Sequence, residues 1–412
     1  MTPFYCYDDA RARGFEPFAL TRPACELRAG GELLRQRWQR ALGAPCAGFL
    51  GAPHLASFDE SWAPGTAPAA TGLLRAGSIV VNSRCAVSLG PVDIEGDVWA
   101  CDGEVAAVRL TTDTPADLFA DGRKGLASLA RMDGTVTPVG GRWIGDIWDL
   151  VGLLPAMLSE DIPILADELM ASHAPAHVTV IGSHAVYVEG GATVEPMVVL
   201  DVSAGPILLR KGCVIQSFTR LVGPSVIGTG STLAGGRVAC VSIGETCKVH
   251  GEVSHAIFIG HSNKGHDGFL GHSIVGRWVN LGAGTTTSNL KNTYGTVALW
   301  TPGGLRDSGL QLLGTLFGDH VKTGIGVRLT TGCVLGAAAN VFDQMPPKVV
   351  APFSWGGGAP YAAFALDKCL EIASRMMSRR DVALSERGRA LLVAAHARAS
   401  QPAYAAAWDA GA

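Results

Sequence analysis

Aliphatic side chains return every six residues through the middle of this chain: Ile215, Leu221, Ile227 and Leu233 form one series, and Leu329, Leu335 and Val341 form another. A spacing of six fits neither one face of an α-helix nor the alternation of a half-buried strand. It fits a parallel β-helix, in which each six-residue side sends one aliphatic residue inward and then turns at a small or flexible residue. Gly212, Gly228 and Gly244 stand where such corners are needed. A single coil cannot bury its own interior, so the repeat demands stacking, and residues 176–350 have room for about nine or ten three-sided coils.

A chain of 412 residues is long for one core, and its pattern changes twice. Residues 1–165 mix strand-like runs at 77–82 and 105–111 with a helical stretch at 30–42 and a Pro/Ala/Gly loop at 63–72, which predicts an α/β domain. A helix at 161–170 leads onward. The six-residue pattern fills 176–350 and loosens at 294–316, where a protruding loop is expected. Residues 351–412 turn to Ala, Leu, Met, Arg and Glu, a C-terminal helical segment with helices expected at 361–379 and 384–399.

Hydrophobic content of 48% with 17% charged residues describes a globular chain, and no apolar run reaches the roughly 18 residues that a membrane-spanning helix needs. A net charge of −3 gives no basic footprint for nucleic acid. The opening Met-Thr-Pro-Phe-Tyr-Cys-Tyr-Asp-Asp lacks a basic region followed by an apolar stretch, so a cytoplasmic protein is expected. The 10 cysteines form no Cys-x-x-Cys pair and read as small buried hydrophobes.

Chemistry concentrates in residues 262–292. His266 lies between Lys264 and Phe269, and Glu252 precedes it by about one coil. A neutral imidazole beside a carboxylate suits a general base that takes a proton from an attacking amine or hydroxyl. The same stretch also holds His250, His255, His261 and His272, and three neutral imidazoles with an open position would bind a metal ion and activate water.

Gly-His-Asp-Gly-Phe-Leu-Gly, followed by Val-Asn-Leu-Gly-Ala-Gly-Thr and Ser-Asn, resembles the acetyltransferase half of bifunctional N-acetylglucosamine-1-phosphate uridyltransferases/glucosamine-1-phosphate acetyltransferases. The resemblance implies a left-handed β-helix, a homotrimer, acetyl-CoA as co-substrate and a sugar phosphate or nucleotide sugar as acceptor. It makes His266 the general base and Glu252 its carboxylate partner. Asn280, Ala283 and Asn289 match positions that contact the amino sugar or acetyl-CoA, and Lys264, Phe269, Lys291 and Arg237 complete the candidate substrate set. Ser254 stands where the family has a phosphate-binding lysine, Phe269 and Leu290 replace tyrosines, and Arg237 is one residue out of step with a phosphate-binding arginine. Without those donors a sugar phosphate loses its charge-assisted partners, so the acceptor is expected to differ.

Asp8-Asp9, Pro-Phe-Ala-Leu-Thr-Arg-Pro at 17–23, Glu-Leu-Arg-Ala-Gly at 26–30 and Phe-Ser-Trp-Gly at 353–356 resemble a divergent group of sugar nucleotidyltransferases fused to such a β-helix. That likeness suggests Arg22, Arg28 and Asp102 as contacts for nucleotide phosphate or Mg²⁺. The Gly-rich phosphate loop of such enzymes is missing. The best reading is therefore a sugar-modifying transferase, acyl-CoA-dependent and with His266 as base. Sugar-1-phosphate nucleotidyl transfer is the alternative for the first domain. A metal site like that of γ-class carbonic anhydrases, whose ligands meet at a subunit interface, and a noncatalytic sugar-nucleotide-binding protein are the others.

Overall fold

Leu221 lies in strand register with Leu200 on the coil before it and Val238 on the coil after, and the column continues through Val253 to Leu270. All five are buried. A second column runs from Leu209 through Ile227, Ile243, Phe258, Val275, Phe317 and Leu335 to Val350. Ile215, Leu233, Leu329 and Val341 join the same continuous core. In this computed structural model, which describes residues 2–60, 72–93, 95–130 and 134–411, the six-residue pattern forms a left-handed parallel β-helix of about ten turns over residues 179–356.

Sharp corners explain the coil geometry. Cys240, His255 and His272 take φ values of 51°, 50° and 48° where the first side turns into the second, and Thr246, His261 and Trp278 take 55°, 54° and 59° where the second turns into the third. The left-handed region is costly for most side chains, so stacking against the coils on either side must hold these residues there. The loosened pattern at 294–316 is an excursion between the Thr286–Thr287 and Leu316–Phe317 strands, and it contains the antiparallel hairpin Ala298–Thr301/Gly304–Asp307. Trp300 near its tip donates from Nε1 to Ala407 O at 3.0 Å and packs at a tilt against Trp408, ring centroids 4.0 Å apart. The helix Leu154–Glu168 packs against the Ile207–Leu209 and Ser225–Ile227 strands. It begins seven residues before the expected 161, because Pro155 is tolerated in a first turn whose N–H groups have no helical acceptor.

The N-terminal region carries a six-stranded sheet in the order Val136–Pro138, Val98–Cys101, Glu104–Arg109, Ile79–Asn82, Phe4–Tyr7, Cys46–Leu50. Phe4–Tyr7 runs parallel to both of its neighbours. The helix expected at 30–42 starts at Leu34, since Gly30 with φ 62° turns the tight hairpin Arg28–Ala29/Glu32–Leu33. The loop expected at 63–72 lies, apart from Gly72, outside the described residues.

Two compact units result, Met1–Ile147 with Met377–Arg398 and Trp148–Met376 with Ala399–Ala412. The C-terminal helices run over Leu366–Ser378, Glu386–Ala399 and Pro402–Asp409. The first starts later than 361 because Ala362–Ala363 pairs antiparallel with Ser354–Gly356. All 10 cysteines are buried and free, and among the described residues no helix is long and apolar enough to cross a membrane.

Candidate active site

The third side of the coil sends Val194, Ile215, Leu233 and Val249 inward in register, and the next place in that column belongs to Lys264. Its side chain is buried, and Nζ turns toward the corner. There it donates to the carbonyl oxygen of His250 at 2.9 Å and to that of His266. Burial lowers the Lys264 pKa to about 8, against the opposing charge of Asp267. Residues 265–268 leave the coil at this corner with His266 and Asp267 exposed. His250, on the coil below, places Nδ1 2.7 Å from Ala234 O and Nε2 3.0 Å from Asp267 Oδ1. The loop is thus held at the His266 carbonyl and at the Asp267 carboxylate, while the His266 imidazole projects outward.

On the adjoining first side, Arg237, Glu252 and Phe269 occupy one register position on successive coils. Glu252 is exposed, and no hydrogen bond or ion pair joins it to His266 among the described residues. Two places along, Gly271 leaves room for the Phe269 ring and the Asn289 amide; a Cβ there would meet the ring and stand 2.7 Å from Asn289 Nδ2. Asn289 Nδ2 lies 2.8 Å from Nδ1 of His272, whose ring stacks on His255. Burial, with His255 adding to it, lowers the His272 pKa to about 4, so near neutral pH the ring is uncharged and has one nitrogen able to accept.

The other expected site residues are spread around this corner. Asn280, one coil above Asn263, accepts from its Nδ2 at 3.0 Å, and the Ala283 carbonyl accepts from Gly326 N at 2.8 Å. Lys291 donates to Thr296 O at 2.6 Å and closes the base of the excursion. Lys264 and His266 therefore stand at the third corner, Glu252 and Phe269 share a register position on the first side with Arg237 below them, Asn289 reaches His272 at the far end of that side, and Lys291 is engaged within its own loop. His250, Gly271 and His272 are the additions that structure makes to this group. Two of these were visible in the sequence only as members of the histidine cluster.

The five histidines do not converge within the chain. His255 and His272 share the first corner, His261 is buried at the second against Trp278 with its Nδ1 2.9 Å from an Arg277 nitrogen, and His250 and His266 lie at the third. A separation of five in a six-residue coil period places such pairs on different corners. Among the described residues no group of three or more His, Cys, Asp or Glu side chains is placed to hold a metal ion.

In the N-terminal sheet, the chain moves from Phe4–Tyr7 to one parallel neighbour and then to the other, and ligands of open α/β sheets bind beyond the carboxyl ends at such a switch. Here Asp9 receives Arg84 Nε at 2.9 Å and Asn82 Nδ2 at 3.0 Å. Burial would raise the Asp9 pKa, but those bonds hold it below the ordinary value. Buried Asp8 accepts from Ala24 N at 3.0 Å and is pushed up to about 6, chiefly by burial. Arg22 pairs with Glu60 at 2.7 Å, and Arg28 donates to Gly31 O at 2.6 Å. Asp102 sits at the turn between Val98–Cys101 and Glu104–Arg109, two to three strands from Phe4–Tyr7, or roughly 10–14 Å at about 4.8 Å per strand. Among the described residues Asp8, Asp9 and Asp102 do not join in a group of three or more side chains placed to hold a metal ion. An apolar cavity of about 470 Å³ opens beside the end of Cys46–Leu50, lined by Phe49, Leu50, Pro53, Leu55 and Phe119 with Arg387.

Comparison with known proteins agrees with this architecture. Residues 4–169 match the family model for sugar nucleotidyl transferases. A bifunctional sugar-1-phosphate nucleotidylyltransferase/acetyltransferase of Sulfurisphaera tokodaii is 34% identical over 91 residues, covering 22% of this chain and 23% of that protein. The bifunctional protein GlmU of Desulfitobacterium hafniense is 24% identical over 202 residues, covering 42% of this chain and 41% of its own length. The matches thus span less than half of the curated relatives. With a match to the sugar nucleotidyl transferase model at 4–169 and a left-handed β-helix after it, the chain is similar over part of its length to bifunctional nucleotidylyltransferase/acetyltransferases.

Proposed function

We propose that this protein is a sugar-modifying transferase whose β-helix carries an acyl-CoA-dependent acyl transfer to an amino or hydroxyl group of a sugar phosphate or nucleotide sugar. The observation that carries the reading is the third corner: His266 is held there at its carbonyl with its imidazole exposed, and Glu252 and Phe269 share one register position on the adjoining side. A ring nitrogen of His266 takes the proton as the acceptor's N or O bonds to the thioester carbonyl carbon. The C–S bond then breaks, and the CoA thiolate leaves and is protonated from the imidazolium. Glu252, about one coil away, is the carboxylate partner of His266 in this reading. We extend the proposal to a homotrimer, which the β-helix fold favours, and to the cytoplasmic location expected from the N-terminal sequence.

A second reading, sugar-1-phosphate nucleotidyl transfer, is favoured by the family match over residues 4–169. We place it second because Asp9, Arg22 and Arg28 are already bonded within the fold, and among the described residues no Gly-rich loop offers its amides to phosphate. The test is release of free CoA thiol from acetyl-CoA with a panel of amino sugars, sugar phosphates and nucleotide sugars, against pyrophosphate release with UTP and sugar-1-phosphates. Thiol release that requires an acceptor and His266 supports acyl transfer; pyrophosphate release alone refutes it.

A further inference from the structure

Lys264 occupies a place that the repeat reserves for an aliphatic side chain. Six residues before it stands Phe258 and six after it Leu270, both buried, and in register it continues the column of Val194, Ile215, Leu233 and Val249. The coil's packing needs only an apolar stem at this point, which a methionine would supply. A buried amine weakens a core unless its donors find acceptors. Its Nζ finds them at the corner, in the carbonyl of His250 on the coil below and the carbonyl of His266 on the departing loop. Gly251 makes the room: with φ +87°, it would bring a Cβ to 3.2 Å from Nζ and 3.2 Å from His266 O. A residue that breaks the pattern of its column beside a candidate base marks a place where function overrides packing.

We propose that Lys264 is a positioning residue, clamping the His266 carbonyl to the coil below so that the imidazole keeps one place and direction at the corner. The inference rests on the acyl-transfer reading for its functional consequence. Lys264 points into the coil and does not touch the substrate; it acts through the backbone of His266.

Lys264→Met in the full chain separates this role from a structural one. The melting temperature is expected to hold or rise, because the thioether stem fills the column without an amine. The turnover number with acetyl-CoA is expected to fall about 10- to 100-fold at a KM changed by no more than about twofold, as for a displaced catalytic group. Amide hydrogen exchange should quicken at residues 265–268 and stay unchanged elsewhere in the β-helix. Lys264→Gln, which keeps a neutral donor, should recover part of both effects. Wild-type turnover and wild-type exchange in Lys264→Met overturn the proposal, as does a lowered melting temperature with exchange quickened throughout the β-helix. If the wild-type protein transfers no acyl group to any acceptor, the acyl-transfer reading fails by itself, while melting and exchange still decide whether Lys264 clamps the loop.

Discussion

Asn289 donates from its side-chain amide to Nδ1 of His272 at 2.8 Å, and His272 lies face to face with His255, ring centroids 4.5 Å apart and 4° from parallel. With the amide nitrogen facing it, Nδ1 of the neutral ring accepts and the ring proton sits on Nε2, which leaves the amide oxygen for a donor on a bound ligand.

His272→Phe keeps the stacking and removes the acceptor. It should raise the KM for acetyl-CoA or the acceptor by about tenfold, the worth of one oriented hydrogen bond. His272→Asn keeps an oxygen near the same position and tolerates the left-handed corner at φ 48°. Steady-state kinetics should show recovery in the asparagine variant; equal KM values for all three proteins would remove the amide from the binding site.

His266→Ala should lower the turnover number by about 10²- to 10⁴-fold, the usual contribution of a general base, with an unchanged circular dichroism spectrum. Glu252→Gln should lose less, since it removes a charge one coil away and no hydrogen bond to the imidazole. A thiol-release assay with an active acceptor checks both, and undiminished turnover in His266→Ala would sink the mechanism.

Leu221→Asp places a carboxylate between Leu200 and Val238 in a fully buried column. The expected loss exceeds about 4 kcal/mol, beyond the range of ordinary substitutions, so cooperative melting of the β-helix should disappear. A wild-type melting curve would mean that Leu221 does not face the interior.

Burial holds the Lys264 pKa at about 8, against an ordinary 10.5, so between those values the unfolded chain binds more protons than the folded one. Stability should therefore rise as pH increases from about 8 toward 10.5. Denaturant unfolding at several pH values should show this rise in the wild type and a flatter profile in Lys264→Met. Identical profiles would place the ammonium in water.

Arg22→Ala should lower stability by roughly 3 kcal/mol, because it strands Glu60 beside a buried surface, rather than abolish a nucleotide-dependent reaction. Pyrophosphate release with UTP and N-acetylglucosamine-1-phosphate is expected to be weak or absent in the wild type. Robust release that disappears in a fully folded Arg22→Ala protein would restore Arg22 to a phosphate site.

The β-helix is legible in the amino-acid sequence because a period of six is a local property: Ile215, Leu221, Ile227 and Leu233 announce their direction by spacing alone. The same spacing brings His266 within one coil of Glu252 and, counted on from Phe258, already turns Lys264 inward. What Lys264 does at the corner is not legible there, since the carbonyls that it binds belong to another coil and to a departing loop. The reach of Arg84 to Asp9 across 75 residues, the distance of Asp102 from that pair, and the meeting of Asn289 with His272 depend on strand order and on the stacking of coils. Sequence spacing determined which way the side chains face where the period of six is regular, as from Ile215 to Leu233; only the tertiary structure decided which polar groups meet, because hydrogen-bond partners are set by positions in space that a one-dimensional period does not encode.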